Sequence, residues 1–152
     1  MKHRFPVKHW SLIAIRAFLG VLFIFSGIGK LINSSDARYL VELMATEFYW
    51  LIEYTWPIVL AISVAELLLG LLLIFNRLLR TALTGSIVLF LFFIGVLGYF
   101  YLQGMSVENC GCFGAFGFAS GIEFTLIRNA VLLVLAGTGL WLNARLQPPW
   151  KD

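Results

Sequence analysis

Apolar residues run almost unbroken through four stretches of this chain, at about 10–32, 56–75, 82–102 and 122–146, and polar residues gather between them. Each stretch is long enough to cross a bilayer as a helix, since about 20 apolar residues cover roughly 30 Å of hydrocarbon. Lipid offers the backbone no hydrogen-bond partners, so each is expected to be a helix that closes its own bonds. Pro57 falls where a first helical turn can do without an N–H, and Pro148–Pro149 ends the last stretch. Gly20, Gly27 and Gly29, then Ala61 and Ala65, then Gly137 and Gly139 are small residues that allow helices to approach closely. The pattern predicts an all-α membrane protein, a four-transmembrane-helix bundle forming a single membrane domain over residues 1–152.

The connections differ from one another. From residue 35 onward, Tyr39, Leu40, Leu43, Met44, Phe48 and Leu51 recur on a helical period with acidic residues between them. This predicts a short interfacial helix, which also offers a docking face for other subunits of a membrane complex.

Composition removes the main alternative. The chain is 61% hydrophobic and only 12% charged, against about 25% charged residues in an average soluble domain. Too few charges remain to cover a water-facing surface, so the lipid bilayer is the solvent. The net charge of +3 does not point to nucleic acid, because Lys and Arg are scattered at the ends of the apolar stretches. The first stretch exceeds the about 7–15 apolar residues of a signal peptide and lacks a small-x-small cleavage site. It is expected to remain as a span.

Charge also orients the chain. Lys2, Arg4 and Lys8 precede the first span, Arg77 and Arg80 lie between the second and third, and Arg145 and Lys151 close the last. The first connection instead carries Asp36, Glu42, Glu47 and Glu53 against Arg38, and the third carries Glu108 and Glu123 with no base. Short loops rich in Lys and Arg stay on the cytoplasmic side. Both termini are therefore expected in the cytoplasm of a bacterium, and the third connection outside its inner membrane.

That third connection holds the chain's only cysteines, Cys110 and Cys112, in the run "NCGCFG". Outside the cytoplasm disulfides form and persist. A bridge between these two closes almost no loop, so it has little value as a staple. Its small ring is strained and readily exchanged, and Gly111 has the backbone freedom such a ring requires. Redox exchange suits the pair best. Two other readings stay open: a soft-metal binding or transfer site, and a pair of inert thiols. A zinc centre would need further ligands, and His3 and His9 are expected on the opposite face, so no resident metal is predicted. Phe113, Phe116 and Phe118 alternate with Gly and Ala just beyond the pair. They pack as a lid over the helix ends or form one wall of a quinone pocket.

Charges inside the spans are costly and normally face the bundle interior with a partner. Glu66 lies near the middle of its span, with Arg128 and Arg16 in reach on either side and Lys30 near the outer end of its own span. Either these groups hold the helices in register, or Lys30 and Arg128 stabilise a thiolate while Glu66 handles the accompanying protons. Asn129 is placed to donate hydrogen bonds to a quinone carbonyl or to a neighbouring helix. Arg16, Arg77 and Arg80 are expected to extend toward the inner interface.

Four runs, "RAFLGVLFIFSGIGKL", "AELLLGLLLIFNR", "NCGCFG" and "IRNAVLL", together resemble the MauE/DoxX group of redox-associated membrane proteins. The resemblance implies a four-helix membrane protein acting in thiol or sulfur redox chemistry. MauE-type members are associated with maturation of a disulfide-rich periplasmic amine dehydrogenase, and DoxX relatives with oxidoreductase assemblies and quinone-linked electron transfer. Carried onto this chain, it implies Cys110 and Cys112 as the redox pair and an extracytoplasmic thioredoxin-like or disulfide-containing protein as partner. Lys30, Glu66, Arg128 and Asn129 are then family-like polar positions. The expected activity is a membrane thiol–disulfide oxidoreductase; a non-enzymatic assembly factor of a larger redox complex is the other class that fits.

Overall fold

The structure, a computed structural model, describes residues 7–45, 48–76, 78–104 and 121–146. Its elements are α1 (Val7–Ile32), α2 (Ser35–Ala45), a 3-10 turn (Tyr49–Leu51), α3 (Thr55–Ile74), α4 (Leu79–Leu102) and α5 (Ile122–Leu146). Helices α1, α3, α4 and α5 occupy the four apolar stretches and are long and apolar enough to cross a membrane. The protein is a multi-pass, all-α membrane bundle.

Its order around the bundle follows the chain. Helix α1 packs along α3 and α4 along α5, while contacts of α3 with α4 and of α1 with α5 close the ring. Each long helix contributes one stripe spaced by three and four residues. In α3 the stripe is Thr55, Val59, Ser63, Glu66, Gly70 and Leu73; in α5 it includes Ile122, Thr125, Asn129, Leu132 and Ala136. This spacing keeps one face of a 3.6-residue helix inward. The remaining faces expose large apolar side chains such as Phe18, Leu68, Val88 and Val134, as lipid-facing surfaces do. Trp10 and Trp141 are exposed at the end that carries the termini, and Tyr49, Trp50, Tyr54, Trp56 and Tyr101 at the other. Aromatic residues gather in this way at the two membrane–water interfaces.

Close approach is concentrated between α1 and α3. A Cβ on Gly70 would lie 2.8 Å from the Gly20 carbonyl oxygen, and one on Gly27 would lie 2.9 Å from the Ser63 carbonyl oxygen. Two helices that touch through backbone need glycine at the crossing. The expected set of small residues is corrected in part. Gly20, Gly27 and Gly139 make tight contacts, but Gly137 faces open space and Ala61 is exposed. Ala61 sits two residues before Ser63, which turns it off the buried stripe.

The expected helix of the first connection is α2. Asn33 Oδ1 accepts from the Ser35 backbone N–H at 3.3 Å as the chain turns into it. It does more than lie flat on the bundle end. Ala37, Val41 and Ala45 are buried, and Leu40, Leu43 and Met44 pack on a cluster of Leu97, Phe100 and Ile122. The end of α4 and the start of α5 therefore stand beside α2. Tyr101 also donates to Glu123 at 3.3 Å, tying together the two ends of the 103–121 connection.

Candidate functional site

Four inward-facing polar residues meet between α1, α3 and α5, toward the α2 end of the bundle. Ser26 and Lys30 lie one turn apart on α1, so both side chains leave the same face. Lys30 Nζ donates to Glu66 Oε1 at 2.5 Å and to Ser26 Oγ at 3.1 Å. Ser26 in turn donates to Glu66 Oε2 at 3.1 Å. Both carboxylate oxygens are thus engaged by α1. Lys30 is 4% exposed and Glu66 2%, so the charges neutralise each other away from water. The ammonium also lies 5.0 Å from the centre of the Phe93 ring of α4, close enough for a cation–π attraction.

Helix α5 supplies the remaining wall. Asn129, 3% exposed, and the half-buried Arg128 line a cavity of about 30 Å³ together with Ser26, Lys30, Glu66 and Phe93. That is room for a water molecule. Asn129 Nδ2 and Thr125 Oγ1 are buried and have no hydrogen-bond partner among the described residues. The other buried hydroxyls behave differently. Ser63 and Ser86 each donate to the carbonyl four residues earlier, at 2.8 Å, and so satisfy themselves within their own helices. Asn129 and Thr125, one turn apart on α5, therefore differ from these self-satisfied hydroxyls.

A second, larger chamber adjoins the first. It has a volume of about 380 Å³ and lies between α2 with the 3-10 turn on one side and α3 and α4 on the other. Its walls are apolar and rich in rings, with Phe48, Trp50, Phe92 and Phe93 among them, and Lys30 is the charged group that reaches it. Lys30 and Phe93 belong to both chambers.

A family model described as "Methylamine utilisation protein MauE" matches residues 8–142. The chain belongs to the MauE family. The match runs from the first turn of α1 into the end of α5 and takes in the Cys110–Cys112 run. No curated protein and no solved structure matches the chain.

Of the residues singled out from sequence, the MauE-family bundle brings Lys30, Glu66, Arg128 and Asn129 to one cavity. The expectation that Arg128 or Arg16 reaches Glu66 is corrected: its ion-pair partner is Lys30, because α1 and α3 touch closely. Arg128 lines the same cavity, and Arg16 is half-buried lower on α1, three turns and more before Lys30. Cys110, Cys112, Phe113, Phe116 and Phe118 lie outside the described residues, as do Arg77 and Glu47. Sequence reasoning missed Ser26, Phe93 and the apolar chamber. Ser26 had a signal, its four-residue spacing from Lys30 on the face that carries the charge. Phe93 had none, being one phenylalanine in a run of apolar residues.

Proposed function

We propose that this MauE-family protein is a membrane thiol–disulfide oxidoreductase that works through Cys110 and Cys112. The observation that carries this reading is the C-x-C run itself, the chain's only thiols, set in the connection between α4 and α5 and within the family match. Support comes from the polar cluster, which sits at the same end of the bundle as both ends of that connection. The protein would lie in a bacterial inner membrane with its termini in the cytoplasm and the cysteines outside, as the distribution of Lys and Arg favours.

A thiolate of an extracytoplasmic partner attacks the Cys110–Cys112 disulfide, forming a mixed disulfide and releasing one cysteine of the pair as thiolate. The partner's second thiol then displaces the remaining cysteine, so the partner leaves oxidised and the pair is left as a dithiol. The dithiol regains its disulfide by giving up two electrons and two protons. This chain has no second cysteine pair to accept them, so the acceptor is a quinone or a separate redox protein; run backwards, the same steps reduce the partner. A quinone, when bound, supplies a two-electron, two-proton acceptor. Lys30 and Arg128 supply positive charge that favours a thiolate, Glu66 holds or passes the protons, and Asn129 offers a hydrogen bond to a quinone carbonyl or a neighbouring helix. A partner that serves methylamine utilisation would accord with the description of the family.

The test is trapping. A Cys112→Ser variant expressed in cells should accumulate a mixed disulfide through Cys110, visible as a reducible higher-mass band whose second component is identified by mass spectrometry. The double Cys110→Ser, Cys112→Ser variant should lose both the band and the partner's oxidation. A partner whose thiols stay fully oxidised with the double variant would reject the reading in favour of an assembly factor that does not use its thiols.

A further inference from the structure

The chamber under α2 is open on one side, where Phe48, Trp50 and Phe92 are exposed. It measures about 380 Å³, inside the range of about 300–1,000 Å³ typical of small-molecule sites. In a bilayer an apolar space of this size fills with an acyl chain or with a dedicated ligand. The chemistry at its inner wall separates the two. An ammonium has three N–H donors. Lys30 uses two, on Ser26 and Glu66, and among the described residues no acceptor meets the third. An acyl chain brings no oxygen to this donor. A flat ring bearing a carbonyl brings one, and its faces suit the aromatic side chains of Phe48, Trp50, Phe92 and Phe93.

We propose that the chamber between α2, α3 and α4 is the binding site of a membrane quinone, with the ring among these aromatic side chains and a carbonyl oxygen accepting a hydrogen bond from Lys30. This site is separate from the wall expected of Phe113, Phe116 and Phe118, which lie outside the described residues. The choice of a redox-active ring rests on the thiol–disulfide reading above; the binding itself does not depend on the cysteines. Trp50 is a built-in reporter, because a quinone held near an indole quenches its fluorescence.

The experiment titrates decylubiquinone into the full chain in detergent and follows tryptophan emission. Wild type and the Cys110→Ser, Cys112→Ser variant should show the same saturable quenching, and Trp50→Phe should lose most of that saturable signal. Lys30→Met should weaken binding at least tenfold. Because Lys30→Met disturbs the ion pair, Ala37→Phe provides a second arm: it adds bulk to the chamber from α2, leaves Lys30, Ser26 and Glu66 untouched, and should weaken binding by a similar factor. Absence of saturable quenching in wild type would overturn the site, as would unchanged affinity in Ala37→Phe or phospholipid that copurifies in the chamber and is not displaced by the quinone. Saturable binding with thiols that the quinone never oxidises would leave the site standing and reject the oxidoreductase reading instead.

Discussion

The two ends of this bundle solve the same packing problem with different chemistry. Toward the termini, α1, α3, α4 and α5 meet through Leu12, Leu19, Leu73, Leu83 and Ala136, all buried; among the described residues the buried polar groups there are Ser86, which bonds to its own helix, and Asn143. Toward α2 the same four helices surround an ion pair and an open amide, and an apolar chamber lies between α2, α3 and α4. A stable bundle needs only the first arrangement. Replacing buried ion pairs with apolar residues of similar size is often neutral or stabilising, so the second arrangement is better explained by what it handles than by what it holds.

The sharpest way to break that comparison is to separate the pair. Lys30→Met should strand Glu66 in the bundle, and Glu66→Leu should strand Lys30; each is expected to cost about 3–5 kcal/mol, read as a fall in thermal unfolding temperature in detergent. The double variant Lys30→Met, Glu66→Leu should recover most of that loss while quinone binding and partner oxidation stay absent. A double variant that regains both stability and partner oxidation would reduce the cluster to scaffolding.

The fold was legible in the sequence because its signals are long and redundant. Four runs of apolar residues leave a membrane helix as the single low-energy form, and Pro57 falls in the first turn of α3 as expected. The inward direction of Lys30, Glu66 and Asn129 was legible too, since lipid will not accept them. Pairing was not. Glu66 had Arg16, Lys30 and Arg128 as formal partners, and the choice depends on α1 and α3 touching through Gly20, Gly27 and Gly70, a register that one chain's pattern does not encode. The chamber was invisible for a related reason. A void arises where α2 docks, and Ala37, Val41 and Ala45, which set that docking, look like ordinary residues of an amphipathic turn.

That α1–α3 register gives the next test. A methyl on Gly70 would meet the Gly20 carbonyl oxygen at 2.8 Å and the Ile24 backbone nitrogen at 3.1 Å, and backbone cannot swing aside as a side chain can. Gly70→Ala is expected to cost about 1–3 kcal/mol by overpacking and, by shifting α3 against α1, to weaken quinone binding as well. Gly98 of α4 meets nothing within 4 Å. Gly98→Ala should instead stabilise by about 0.4–1 kcal/mol and leave binding as it was. Equal unfolding temperatures for the two variants would show that the crossing is not the tight point of the bundle.

The smallest effect is expected at the apolar end, in the turn between α3 and α4. Leu78 caps α4 in the left-handed region, at φ 48° and ψ 46°, and its side chain is 70% exposed. A leucine held there sacrifices roughly 1–2 kcal/mol relative to a right-handed conformation, while little packing offsets it. Glycine removes the steric cost but adds freedom to the unfolded chain, so Leu78→Gly should gain no more than about 1 kcal/mol of stability. A β-branched residue, Leu78→Val, should lose a similar amount. Neither change lies near Lys30 or the chamber, so decylubiquinone affinity should follow wild type in both. If Leu78→Gly altered that affinity, the two ends would be coupled through α4, and the division between a holding end and a handling end would no longer describe this protein.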